Sequence, residues 1–201
     1  TAQKNPLLAH ITLERLQAEG TVPLPIPAES RVPFADGVFR TPSGKVEFYS
    51  AQAAAKGYDP VPNWEPEAES HRGKDGHVVT DGRLSLVCPA AHHFVSSTFG
   101  NQERLRNKEI APTLRMHPED AGTRGIQHGQ RVRVWNERGS CILVANVTED
   151  VRPGVLATTT VWWPEFSPER HTINWTTSDR LADFGGGSTF YTNLVFVEVY
   201  S

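Results

Sequence analysis

The chain has 201 residues, of which 38% are hydrophobic and 21% are charged, and this size and composition suffice to bury a core. Its net charge of −3 excludes the basic surface with which proteins recruit nucleic acids or anionic membranes. No apolar run reaches the roughly 18 residues that a membrane span needs, so we expect neither a nucleic-acid partner nor a membrane span.

The first residues, Thr1–Pro6, contain neither an initiator methionine nor the pattern of a signal peptide. We therefore expect a piece of a longer polypeptide. We also expect a cytoplasmic location, with any export signal lying in the sequence upstream.

A short helix is predicted first, with Asn5 as its N-cap, Pro6 as its first residue and Gly20 as its end. Its apolar positions are Leu7, Leu8, Ile11 and Leu16. The prolines between residues 23 and 33 then indicate an extended connector.

Hairpin chemistry follows in the stretch "VFRTPSGKVEFYS". Phe39 ends one predicted strand, Thr41–Gly44 form the turn, and Val46–Phe48 resume the partner strand. Ser50 is expected to cap a brief alanine-rich helix that ends at Gly57. Residues 59–77 are rich in proline and then in charge, which indicates a linker. We predict a domain boundary between residues 77 and 78.

Short β segments dominate from about residue 78 onward. Six strands are predicted, at Arg83–Cys88, Thr113–Met116, Arg131–Asn136, Cys141–Val147, Val155–Val161 and Leu194–Tyr200. Pro118–Thr123 predict a helical turn or two between the second and third strands. The pattern favours a mainly β fold with short helices, closed as a barrel.

The two cysteines, Cys88 and Cys141, form no CxxC pair of the kind that binds zinc or an iron–sulfur cluster. Each is flanked by strand-forming residues, so we predict that both are buried thiols.

The stretch "CPAAHHFVSSTFGN", residues 88–101, follows the first predicted strand and is the most unusual in the chain. Neighbouring side chains on an extended segment point to opposite faces, so His92 and His93 are not expected to bind one metal ion. Besides a metal site, this stretch could serve a hydrolase that uses His93 with Ser96 or Ser97, although no GxSxG elbow frames either serine. The stretch could also be a loop with a purely structural role.

Two later stretches share its polar character. "TTTVWWPEFSPERHTINWTTSDR" (158–180) carries paired tryptophans and an asparagine among threonines, and "DFGGGSTFYTN" (183–193) carries a triple glycine. Hydroxyl, amide and backbone N–H groups suit phosphates and the polar edges of heterocycles. If the three loops gather at one end of the barrel, they form a site for binding without chemistry.

Three blocks together resemble the C-terminal region of the molybdopterin oxidoreductases, the family typified by dimethyl sulfoxide reductase. They are "FRTPSGKVEFYS" (39–50), "MHPEDAGTRGIQHGQRVRVWNERGSCILVANVTEDVRPGVL" (116–156) and "NWTTSDR" with "GGGSTFYTNLVFVEV" (174–199). The resemblance implies that residues 78–201 form a molybdopterin-dinucleotide-binding domain. Its expected fold is a six-stranded double-psi β-barrel of the aspartate-decarboxylase type. Residues 1–77 would be the end of the preceding domain plus a linker.

The resemblance also implies a set of cofactor contacts. On the loop after the first strand these are Pro89, Ala90, Ala91, His92, His93, Phe94, Ser96 and Ser97. Later in the chain they are Asp120, Trp162, Trp163, Asn174 and one of Tyr191 and Asn193. Many family members begin the first loop with Thr-Gly-Arg, where this chain has Cys88-Pro89-Ala90.

The implied cofactor is molybdopterin guanine dinucleotide with molybdenum or tungsten, with two dinucleotides bound to one metal ion (a bis-dinucleotide cofactor), and a [4Fe-4S] cluster is expected in an upstream part. The expected partners are the remaining domains of the same oxidoreductase and an electron-transfer subunit. No catalytic residue or protein ligand to the metal is expected in this chain, which should not turn over alone. The alternatives are a double-psi barrel binding module without molybdopterin and the small hydrolase.

Overall fold

The structure is a computed structural model that describes residues 5–61, 63–64, 66–71, 81–160, 162–183 and 185–201. The chain divides into two compact units, Thr1–Asn63 and Trp64–Ser201. The predicted boundary at residues 77 and 78 lies outside the described residues. Within the described residues, no helix is both long and apolar enough to cross a bilayer.

The first unit contains short helical elements. They are a 3₁₀ turn at Pro6–Leu8, helix α1 at Leu13–Glu19, a second 3₁₀ turn at Ala28–Arg31 and helix α2 at Ala51–Ala55. The single helix predicted after Asn5 is wrong, because the chain makes two pieces there. The Asn5 side chain caps the first, and the Thr12 side chain accepts a hydrogen bond from Arg15 N to start the second, which ends at Gly20.

The predicted hairpin forms its turn but not its strands. Gly44 has φ +67° and its N–H donates to the Thr41 carbonyl oxygen at 3.0 Å. Val46 and Phe48 are exposed and belong to no strand. The Ser50 cap on α2 is present, since its hydroxyl accepts from Ala53 N at 3.1 Å.

The second unit is built around six strands. They are β1 (Leu84–Val87), β2 (Thr113–Met116), β3 (Arg131–Trp135), β4 (Ser140–Val147), β5 (Val155–Thr158) and β6 (Leu194–Val199). Each lies within one residue of the predicted start. The fifth strand ends at Thr158 rather than at Val161, which lies outside the described residues. Helix α3 (Glu103–Glu109) and helix α4 (Pro118–Thr123) precede and follow β2.

The strands close into a barrel in the order β1-β5-β2-β4-β3-β6. The β1–β5 and β2–β4 pairs are parallel, and the other pairs between neighbours are antiparallel. The mainly β, six-stranded barrel that the sequence predicts is confirmed.

Side-chain alternation places the core inside this barrel. On β3, Val132 and Val134 are fully buried, whereas Arg131 and Arg133 face outward, as the period of two requires. The largest fully buried apolar side chains are Leu86, Leu114, Met116, Leu156, Leu194, Val132, Val134 and Val195. Three 3₁₀ turns lie outside the barrel, at Pro164–Phe166, Pro168–Arg170 and Ile173–Thr176.

Candidate functional site

Two loops leave the barrel from the same end. Because β1 and β5 are parallel and in register from Ser85↔Val155 to Val87↔Ala157, their carboxyl ends lie side by side. The loops that follow stay joined, since Ala91 N donates to the Thr160 carbonyl at 2.8 Å and Thr160 N donates to the Pro89 carbonyl at 2.9 Å. The first and second polar stretches of the sequence are therefore held together at this end.

A cleft of about 280 Å³ opens between these loops. It is lined by Cys88, Ala90, Ser96, Thr160, Asn174, Thr177, Phe190 and Tyr191. All three polar stretches contribute to it, as the sequence predicts for loops that gather at one end. Four of the predicted contact residues line it, namely Ala90, Ser96, Asn174 and Tyr191.

The lining side chains carry polar but uncharged groups. Ser96 and Asn174 are exposed, and they offer hydroxyl and amide groups that both donate and accept hydrogen bonds. Phe190 and Tyr191 stand at its edge with ring centroids 4.5 Å apart, and they are 45% and 57% exposed. Aromatic faces of this kind pack against planar rings. The other four lining residues were not predicted as contacts, although all of them lie in stretches that the sequence singles out: Cys88, Thr160, Thr177 and Phe190.

Several predicted contacts do not line the cleft but lie close in the chain to its lining residues Ala90 and Thr160, and we call them the wall of the cleft. Ala91, Phe94 and Trp162 are buried together, with the Phe94 and Trp162 rings edge to face at 5.5 Å. Trp163 Nε1 donates to the Ser97 carbonyl at 2.7 Å, which ties the second loop to the first. These residues fix the shape of the cleft without lining it.

His92 and His93 have different surroundings and do not form a shared catalytic or metal site. His93 is held by Glu109, whose Oε1 accepts from the His93 backbone N–H at 2.6 Å and lies 2.9 Å from its Nδ1. His92 is exposed, with its ring edge to face with that of His93. No hydrogen bond between described residues joins His93 to Ser96 or Ser97, so the structure lends the hydrolase hypothesis no support. In the described part of the chain, no three His, Cys, Asp or Glu residues are grouped to hold a metal ion.

Asp120 lies away from the cleft. Its Oδ2 accepts from Gly154 N at 2.8 Å, and the Gly154 carbonyl accepts from Ser85 N at the start of β1. These contacts place Asp120 at the opposite end of the barrel, where it ties α4 to the chain entering β5.

Asn193 also lies outside the cleft, in a buried polar network. It is 2% exposed, and its Oδ1 accepts from Asn136 Nδ2 at 3.2 Å and from Arg138 Nη2 at 3.1 Å. Its own Nδ2 donates to Thr176 Oγ1 at 3.0 Å. Of the two candidates that the sequence left open, the structure thus places Tyr191 in the cleft and Asn193 in the network.

A carboxylate from the segment before the barrel completes the network. Glu69 Oε2 accepts from Arg138 Nη2 at 2.9 Å and from Leu194 N at 3.1 Å. Sequence reasoning missed Glu69 and Arg138, because 69 residues separate them and no local pattern pairs them.

Acid should weaken this network. Burial raises the pKa of Glu69, but the hydrogen bonds from Arg138 and Leu194 and the Arg138 charge outweigh it, so its pKa lies below the ordinary value of a glutamate. A lowered folded-state pKa gives stability that is complete above the unfolded pKa and is lost as the pH falls through the folded value. We expect the stability difference between the unchanged chain and Glu69→Gln to shrink on acidification.

Urea unfolding at about pH 7 and about pH 3 tests this expectation. All five tryptophans lie within Trp64–Ser201, so their fluorescence reports on that unit. An equal difference between the two proteins at both values of pH would contradict it.

Both thiols are buried as predicted, with Cys88 8% and Cys141 1% exposed. Burial raises the pKa of each to about 12. Because the thiolate is the reactive form, roughly one thiol in ten thousand is reactive at pH 8. We expect a disulfide reagent to label the folded chain at least about 100-fold more slowly than the urea-unfolded chain. A thiol that reacts equally fast in both states would refute the assignment.

Comparison with known proteins identifies the family of this chain. The model of the molydopterin dinucleotide binding domain matches residues 84–194, which span the barrel from β1 to the start of β6. The chain contains this domain and belongs to the dimethyl sulfoxide reductase family. The cleft therefore lies in a domain whose family is named for binding molydopterin dinucleotide.

Relatives of this domain family are longer oxidoreductases. The chain is 35% identical to the "Probable oxidoreductase YoaE" of Bacillus subtilis over 96% of its own length and 26% of that protein. It is 33% identical to the dimethyl sulfoxide reductase DmsA of Escherichia coli over 79% of its own length and 21% of that protein. The chain thus spans about a quarter or less of these relatives' length.

A solved structure shares the fold. Acetylene hydratase from Pelobacter acetylenicus superposes with a TM-score of 0.76 over 99% of this chain and 29% of that chain. The two are 20% identical, so this likeness bears on the fold alone.

Proposed function

We propose that this chain holds one end of a pterin dinucleotide cofactor in a molybdenum or tungsten oxidoreductase of the dimethyl sulfoxide reductase family. The supporting observation is that loops from three separate stretches meet in one cleft within the family's dinucleotide-binding domain. We call the longer oxidoreductase that would carry the chain the parent protein.

The lining of the cleft fits such a group. A pterin or a purine presents a flat ring with alternating donors and acceptors at its edge. The Asn174 amide offers a donor and an acceptor side by side, and the Ser96 hydroxyl offers both. Phe190 and Tyr191 supply exposed aromatic surface at the edge, and Ala90 leaves room. The lining residues bring no charge of their own to the cleft.

The residues of this chain bind and orient, and the bound metal centre supplies the redox chemistry. Asn174 and Ser96 would fix the edge of the heterocycle, and Tyr191 would cover its face. Trp162, Phe94 and Ala91 would keep the wall of the cleft in shape. His93, held by Glu109, fixes the first loop.

Finer features of the parent protein are also proposals. The guanine base, a [4Fe-4S] cluster upstream and an electron-transfer subunit are supported by the resemblance of the motifs to the family. The other domains are supported by the length of the relatives. The cytoplasmic location stays a prediction.

Tyr191→Ala in the parent protein tests the assignment of the cleft. Loss of an aromatic face against a planar ring costs about 0.5–1.5 kcal/mol, which is about 2- to 10-fold in retention of the dinucleotide. The measurement is the nucleotide released by acid hydrolysis per protein after dialysis. Tyr49→Ala is the matched control, because Tyr49 is 58% exposed and lies in the first unit. Equal retention in both variants would remove Tyr191 from the site.

A further inference from the structure

Between β5 and β6 the chain makes a long excursion whose described residues form no α-helix or named strand. Its three 3₁₀ turns cover residues 164–176, and Glu169 and Arg170 hold positive φ values of 54° and 60°. Such a segment makes few regular backbone hydrogen bonds, so its buried polar atoms depend on side chains or water for hydrogen bonds.

Two buried nitrogens of this excursion have no hydrogen-bond partner among the described residues. They are Trp162 Nε1 and His171 Nδ1. The Trp162 side chain is buried in the wall of the cleft, and the His171 ring stacks on Trp175 with centroids 3.9 Å apart. An indole N–H can only donate, and a buried donor that is left unpaired destabilises the fold.

Both residues line the same small cavity, which measures about 10 Å³. Apolar neighbours from the barrel close one side of it, namely Pro112, Ile142 and Leu143. A cavity needs roughly 10–15 Å³ to hold one water molecule, and a bound water needs two to four polar partners. The cavity therefore has the size for one water, and its lining has an unpaired donor and an unpaired ring nitrogen.

We propose that one ordered water molecule binds here and bridges Trp162 Nε1 and His171 Nδ1. The water oxygen accepts from the indole N–H, and one of its hydrogens is donated to the imidazole Nδ1. His171 then carries its own proton on Nε2. The bridge joins two points of the excursion that are nine residues apart in the chain.

The position of the water gives it a role in shaping the cleft. Thr160 and Asn174 line both the small cavity and the cleft. The water thus lies in a cavity that shares these two lining residues with the cleft, and it supports the cleft through them. This inference concerns the hydration of the fold and stands whether or not the cleft binds a pterin dinucleotide.

A crystal structure of the parent protein, at a resolution that shows ordered water, tests the proposal directly. We expect a water within about 2.7–3.2 Å of both nitrogens. In Trp162→Phe the water should be lost or should move away from residue 162. In Trp163→Phe it should stay, because Trp163 Nε1 already donates to the Ser97 carbonyl.

Three results would overturn the proposal. The first is an empty cavity in the unchanged protein, and the second is a direct hydrogen bond between the two rings. The third is a water that keeps its position and occupancy in Trp162→Phe. The unchanged protein alone decides the first two, so the test survives if the variant fails to fold.

Discussion

Replacing Ala90 by tryptophan should remove most of the pterin dinucleotide from the parent protein. Ala90 lines the cleft and is exposed, and its backbone is bridged to Thr160. An indole at this position would therefore fill part of the cleft. Overpacking of this kind costs about 1–3 kcal/mol, which corresponds to about a 5- to 150-fold loss of affinity. The measurement is metal and nucleotide per protein after purification and dialysis.

Ala90→Ser serves as the matched control for this substitution. It changes the same position by one small polar group and should keep nearly all of the cofactor. Full occupancy in Ala90→Trp, with the fold intact by circular dichroism, would show that the cofactor does not enter this cleft.

Replacing Arg138 by methionine should give the largest loss of stability. The guanidinium donates to Glu69, to Asn193 Oδ1 and to the Thr176 carbonyl, and its side chain is 24% exposed. Methionine has a similar length but no donor, so a carboxylate and an amide oxygen lose partners. Breaking a buried pair costs about 3–5 kcal/mol, and partial exposure reduces this to about 2–4 kcal/mol.

Urea unfolding of the chain, followed by tryptophan fluorescence, measures this loss. Arg133→Met is the matched control, since Arg133 pairs with Glu198 at 3.4 Å and the two side chains are 48% and 52% exposed. An exposed pair contributes about 0–1 kcal/mol. Equal losses in the two variants would mean that the network around Arg138 does not hold the barrel unit together.

The barrel could be predicted because its signals are local. Val132 and Val134 alternate with arginines on β3. This period of two predicts both the strand and the face of it that is buried. The helix caps at Ser50 and Asn5 are equally local. Thr12 was overlooked as a second cap, so one helix was predicted where two elements form. The turn predicted at Thr41–Gly44 is present, but its flanking residues form no strands, which turn chemistry alone cannot reveal.

The cleft was predictable in part. Parallel pairing of β1 with β5 brings the first two loops together, and both had been recognised as polar loops after strands. Which residue of a loop faces the cleft depends on packing across the barrel. Asn193 could not be separated from Tyr191 by sequence, because Asn136, Thr176 and Arg138 decide its place. The place of Asp120 at the other end of the barrel is equally hidden from the sequence, since its partner Gly154 lies 34 residues away.

The most direct test of the central claim is the content of the parent protein, purified from a host that makes the cofactor. Molybdenum and tungsten would be measured together with the nucleotide freed by acid hydrolysis. We predict near-stoichiometric metal with about two GMP per metal, as a bis-dinucleotide cofactor requires. Protein that carries neither metal nor nucleotide would contradict the account and favour a barrel that binds something other than molybdopterin.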